Sequence, residues 1–149
     1  MKLRIALVAH DNRKEDLLEW VRWNAKILIK HQLLCTGTTG KLIEKTLKDI
    51  GYKDIEMIKF KSGPLGGDQE LGSSIANDKI DIFIFLWDPM ETHPHDPDVK
   101  ALLRMTVIYN IPTACNRATA DYLISSSLFE NKKYKRIIKD YSKYLGRDL

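Results

Sequence analysis

A chain of 149 residues, 44% hydrophobic and with formal net charge +4, is long enough for one domain around one well-buried core, and we expect a single domain over 1–149. The charge is local: Asn131 to Leu149 holds seven basic residues against two acidic ones, which leaves 17 basic and 18 acidic residues, a balance of −1, for everything before it. A basic tail on a near-neutral body argues against nucleic acid as a partner, and the absence of any apolar run near 18 residues argues against a membrane span. The opening Met1-Lys2-Leu3-Arg4 carries neither the apolar region nor the cleavage site of a signal peptide. Two cysteines, Cys35 and Cys115, each near the end of an apolar run, are expected as buried thiols of a reducing cytoplasm, not as a disulfide.

Leu3 to Ala9 is a nearly continuous apolar run, as in a strand covered on both faces. It stops at His10-Asp11. Asn12 and Glu15 then resemble a capping box, and Leu17, Val21, Ala25 and Leu28 keep helical spacing to about Lys30, with Trp20 and Trp23 expected to pack from that helix. His31, alone before the next strand, reads as a surface residue. Gln32 to Thr36 predicts the second strand, followed by the turn Thr36-Gly37-Thr38-Thr39-Gly40 and a helix marked by Leu42, Ile43 and Leu47. Hydroxyls and free amides at a helix start suit a phosphate monoester; plain N-capping by a threonine of the turn explains the same residues. A P-loop is excluded, because only Thr38-Thr39 separate Gly37 from Gly40-Lys41. Lys14, in the first turn of its helix, is a cation where the macrodipole disfavours one, a penalty that a bound anion would remove.

Ile55 to Phe60 alternates as a third strand and leads into Ser62-Gly63-Pro64-Leu65-Gly66-Gly67-Asp68-Gln69, a turn whose glycines leave main-chain amides open to an anion. Asp68 stands beside that cradle. It is either a base or the N-cap of a helix running to Asp78. Ile80 to Trp87 is the most hydrophobic strand and should be central. Its end enters a loop with His93, His95, Asp96 and Asp98, whose spacing fits no standard zinc site, so we expect no metal. Pro97 suits the first turn of a helix with Val99, Leu102, Leu103 and Met105. Ile111 to Cys115 is a short fifth strand, Ala118 to Ile124 a further helix, and the tail an extended piece followed by a helix.

Five strands alternating with helices predict an α/β fold, a three-layer α/β/α domain on a five-stranded parallel doubly wound sheet. In such sheets ligands bind beyond the carboxyl ends of the strands. The unusual loops all fall there.

Across nearly its whole length the chain resembles the methylglyoxal synthases. The stretches that carry the resemblance are IALVAHD (5–11), TGTTG (36–40), SGPLGGDQ (62–69), FLWDP (85–89), PHDPDVKALLR (94–104), NIP (110–112) and ATAD (118–121). The resemblance implies strand order 3-2-1-4-5 and conversion of dihydroxyacetone phosphate to methylglyoxal and inorganic phosphate, without a cofactor, in a cytoplasmic homo-oligomer, a hexamer. Carried over by residue, it makes Asp68 the catalytic base. His10, Lys14, Thr36, Gly37, Thr38, Thr39, Ser62, Gly63 and His95 become substrate contacts, and Asp98 a supporting carboxylate. The rival reading is a non-catalytic allosteric module that binds a phosphorylated metabolite and has no use for Asp68.

Overall fold

The computed structural model describes residues 2–91 and 96–146, without the side chains of 96–98 and 145. Its sheet has five strands: β1 (Arg4–Ala9), β2 (Gln32–Thr36), β3 (Met57–Phe60), β4 (Ile82–Leu86) and β5 (Thr113–Ala114). All pairs are parallel, in the order β3-β2-β1-β4-β5. The expected strand order is therefore present, with β1 in the middle and β4 beside it.

Alternation along the strands splits the core in two. Ile5, Leu7 and Ala9 of β1, with Leu33, Cys35, Ile82 and Ile84, pack on one side against α1 (Lys14–Trp23), α2 (Ala25–Leu28), α3 (Gly37–Asp49) and α6 (Arg117–Ser125). Ala6, Val8, Leu34, Phe83 and Phe85 face the other side, against α4 (Gly67–Ala76) and α5 (Asp96–Ile108). With every residue of β4 buried, water reaches neither face of that strand, and this is why its sequence is a continuous apolar run and not an alternating one. At about 25 cal/mol per Å² of apolar surface, burial of side chains the size of Phe83 and Phe85 contributes about 2 to 3 kcal/mol each.

Several local expectations are corrected. Asn12 caps nothing: a 3-10 turn, Asp11–Arg13, precedes α1, whose N-cap position is Arg13 without a side-chain bond. The first helix does not continue to Lys30, because the buried Asn24 side chain donates to the Trp20 carbonyl at 2.9 Å and interrupts the ladder between α1 and α2. Trp20 is buried and donates to Asp121, whereas Trp23 is 85% exposed. His31 is the opposite of a surface residue. It is 1% exposed; its Nδ1 accepts from the Leu3 N–H at 3.0 Å, and Nε2 lies 3.2 Å from Glu130. Cys35 is buried but Cys115 only partly so, and both are free. The tail is irregular from Asn131 to Tyr141 and ends in the single turn α7 (Ser142–Leu145). Arg136 ties it to the body, donating to the Tyr109 carbonyl and to Asp78.

Candidate active site

At the carboxyl ends of the central strands lies a cleft of about 220 Å³. The loop after β1 supplies His10, Asp11 and Lys14, the start of α3 supplies Thr36, Gly37, Thr38 and Thr39, and the turn after β3 supplies Ser62, Gly63, Pro64 and Asp68. Val8, Ala9 and Phe85 close its floor. Eight of the predicted site residues, from three loops far apart in sequence, thus share one cavity with Asp68. The fourth loop is a different matter: His95 and the side chain of Asp98 lie outside the described residues.

The Thr/Gly stretch proves to be the first turn of a helix. Thr36 occupies the N-cap position in extended conformation but makes no side-chain cap bond, so the simple capping explanation fails. The first-turn amides of α3 therefore remain for a ligand beside the cleft. Gly37 has φ +37°, and a Cβ there would come within 2.8 Å of Ser62 Cα and Cβ, so the two anion loops meet at a contact only glycine permits.

Asp68 is not an N-cap either. Gly66, at φ +106°, takes that position, which makes Asp68 the second residue of α4, where the helix dipole favours a carboxylate. The turn that holds it is tightly braced. The Gly67 and Leu65 N–H groups both donate to the Ser62 carbonyl at 3.0 Å, and Glu70 reaches back from α4 to accept from the Lys61 N–H at 3.0 Å. A Cβ on Gly63 would stand 3.5 Å from the Asp68 carboxylate, which is how closely the turn's backbone approaches that group.

Lys14 is four-fifths buried; its Nζ donates to Asp11 at 2.7 Å and to Thr38 Oγ1 at 2.8 Å. The ammonium is thereby fixed at the mouth of the α3 turn. His10 accepts at Nδ1 from the Asp88 N–H at 3.1 Å, so the neutral imidazole carries its proton on Nε2. Its ring stands edge-on to Phe85 at 5.5 Å between centroids. Asp88 is 5% exposed, and bonds from the Met90 N–H and from Asn12 hold its carboxyl below the usual range. Sequence reasoning gave Asp88 and Glu70 no role and read Asn12 only as a helix cap; the one available signal was an acid directly after the most apolar strand. Among the described residues no cluster of three metal-ligating side chains exists.

An anion cradle, a carboxylate and an imidazole N–H in one small cleft can hold a phosphate monoester while moving a proton at a neighbouring carbon. Comparison with known proteins agrees. Residues 16–115 match the family model described as MGS-like domain. The chain is 55% identical over 145 residues to the methylglyoxal synthase of Leptospira interrogans serogroup Icterohaemorrhagiae serovar copenhageni, covering 97% of this chain and 93% of that one. It is 53% identical to the methylglyoxal synthase of Maridesulfovibrio salexigens, covering 97% and 96%. The crystal structure of methylglyoxal synthase from Elizabethkingia anophelis NUHP1 superposes with TM-score 0.87 at 53% identity, over 99% of this chain and 93% of that one. With the family model spanning two thirds of the sequence and relatives matched end to end, the chain belongs to the methylglyoxal synthase family.

Proposed function

We propose that the protein is a carbon–oxygen lyase that converts dihydroxyacetone phosphate to methylglyoxal and inorganic phosphate. The observation that carries this reading is the meeting of Asp68 with the α3 anion turn in one cleft, since a module that only bound a phosphorylated metabolite would need the turn without the base. Asp68 removes a carbon-bound proton next to the ketone. The C–H electron pair becomes the double bond of an enediolate, whose oxygens are held by the His10 Nε2–H and, as the family resemblance implies, by His95. Asp98, in the first turn of α5, is the supporting carboxylate that the resemblance implies.

The enediolate then collapses. With the negative charge on the terminal oxygen, its lone pair forms the aldehyde C=O and the enediolate π pair shifts to form the new C–C double bond of an enol as the C–O bond to phosphate breaks; phosphate leaves with that bonding pair, and the enol tautomerises to methylglyoxal. Elimination requires the breaking C–O bond to stand out of the enediolate plane. The amides and hydroxyls of Gly37 to Thr39, with Lys14, Ser62 and Gly63, surround the phosphate and hold that orientation. No step transfers an electron to or from the protein, so the chemistry calls for no redox cofactor.

We further take the protein to work as a homo-oligomer in the cytoplasm, a hexamer by the family resemblance, which sedimentation will test. Trp23, Val107 and Tyr122, each more than three-quarters exposed, supply apolar surface for such contacts. No described helix is long and apolar enough to cross a membrane.

The reaction is tested by incubating purified protein with dihydroxyacetone phosphate and assaying phosphate and methylglyoxal together. Equal release of both is expected. Phosphate binding without either product would favour the allosteric module, and glyceraldehyde 3-phosphate as product would mean an isomerase.

A further inference from the structure

We infer that Asn12 is a positioning residue of the active cleft: its carboxamide clamps the loop after β1 to the loop after β4 and so fixes which nitrogen of His10 carries the proton. The inference rests on the placement of His10 at the substrate given above. Asn12 itself does not line the cleft.

The Asn12 Nδ2 group has two hydrogens, and both are used. It donates to Asp88 Oδ2 at 3.0 Å and to Glu91 Oε1 at 2.8 Å, two carboxylates of the loop after β4. The second oxygen of Asp88 accepts from the Met90 N–H at 2.9 Å. The same Asp88 gives its own N–H to His10 Nδ1. His10 and Asn12, two residues apart at the start of a 3-10 turn, therefore grip one residue at two points, ring to main chain and amide to side chain. The His10 N–H also donates to the Leu86 carbonyl at 3.1 Å, so main chain, ring and amide together join the two strand ends. With the Asp88 N–H held against Nδ1, only Nε2 is left to carry the proton.

The residue type is specific. Aspartate at position 12 would set a third carboxylate against Asp88 and Glu91, with Arg13 the neighbouring cation and His10 the neighbouring base. Alanine would remove both donors and leave two carboxylates facing each other across a gap. Neither change touches a cleft-lining side chain.

The test combines ring ¹⁵N NMR of His10 in the ligand-free protein with kcat, KM and thermal midpoint for Asn12→Ala and Asn12→Asp. The wild-type ring is expected as the Nε2–H tautomer. In Asn12→Ala it becomes a mixture of tautomers, and kcat falls roughly ten- to a hundredfold while KM changes little; the midpoint drops by a few degrees with the two lost bonds, but far less than would unfold the protein at the assay temperature. Asn12→Asp gains activity relative to Asn12→Ala on acidification, as a protonated carboxyl again donates; the ratio of the two variants cancels the protonation of Asp68 that both share. A wild-type tautomer together with wild-type kcat in Asn12→Ala, or identical pH profiles for the two variants, would overturn the clamp. The NMR comparison needs no turnover. A protein that made no methylglyoxal would refute the reaction, while a tautomer that shifts in Asn12→Ala would still support the clamp.

Discussion

Replacing Gly67 by alanine sets two physical effects against each other. Gly67 opens α4, where alanine is favoured over glycine by up to about 1 kcal/mol through helix propensity and reduced freedom of the unfolded chain. The site itself forbids the methyl group: its carbon would lie 2.0 Å from the Lys61 carbonyl oxygen and 3.0 Å from the carbonyl carbons of Lys61 and Ser62. Relief to ordinary contact needs a shift of about 1 Å, and the obstacle is main chain held on both sides, by Glu70 on the Lys61 N–H and by the Gly67 and Leu65 N–H groups on the Ser62 carbonyl. Overpacking of this kind costs about 1 to 3 kcal/mol, so the clash outweighs the propensity gain. We expect Gly67→Ala to lower the melting temperature by about 2 to 8 °C. Because Asp68 is the next residue, a 1 Å displacement should also lower kcat about a hundredfold. Gly72→Ala is the control: in the same helix its methyl carbon meets only Leu102 Cδ2, at 3.9 Å, and should raise the midpoint by a few degrees with kcat unchanged. Scanning calorimetry and a coupled methylglyoxal assay read both quantities. If Gly67→Ala behaved like Gly72→Ala, the turn would not be pinned as described.

Thr39→Val, nearly isosteric at a 3% exposed position in the cleft, should weaken direct binding of inorganic phosphate roughly ten- to a hundredfold, and Lys14→Ala should do likewise; calorimetric titration with unchanged affinity in both would displace the phosphate from the α3 turn. Burial holds the pKa of His31 below its ordinary value, so the fold favours the neutral ring; stability is fully present above about pH 6.5 and is lost as the pH falls below it. Chemical denaturation should show this loss as the pH falls below about 6.5, with a slope no steeper than about 1.4 kcal/mol per pH unit, and His31→Asn should lack that slope. An identical slope in the variant would assign the effect elsewhere. Burial also pushes the Cys35 thiol up to about 12, so alkylation of the native protein at pH 8 should modify Cys115 alone and denaturation should expose Cys35; rapid native labelling at Cys35 would contradict its place in β2.

The sheet was legible because its signals are periodic and redundant. Continuous apolar runs at β1 and β4, with helices between strands, allow one class of architecture, and the Thr/Gly and Gly-rich turns had to fall at strand ends. Readings that depended on one side chain in one conformation fared worse. Asn12-x-x-Glu15 has the letters of a capping box, yet a 3-10 turn intervenes and the amide is taken by Asp88 and Glu91 from 76 and 79 residues away. His31 looks like a surface residue because its partners, the Leu3 N–H and Glu130, come from opposite ends of the chain. Trp23 keeps helical spacing but falls beyond the buried stripe of α1. Asp68 was found as an acid beside glycines, but its offset from the cap position depends on Gly66 turning left-handed, which any of three nearby glycines could have done.

The central claim is that Asp68 is the base that removes the substrate proton. Asp68→Asn keeps the size of the side chain and leaves the cap at Gly66 untouched, so the fold and the phosphate site should survive. The decisive measurement is kcat for methylglyoxal formation by Asp68→Asn, alongside its phosphate affinity and melting temperature. Loss of general-base catalysis predicts a fall of at least roughly 10²- to 10⁴-fold with both other quantities near wild type. A variant that still turns over near the wild-type rate would contradict the assignment and move the base to another residue of the cleft.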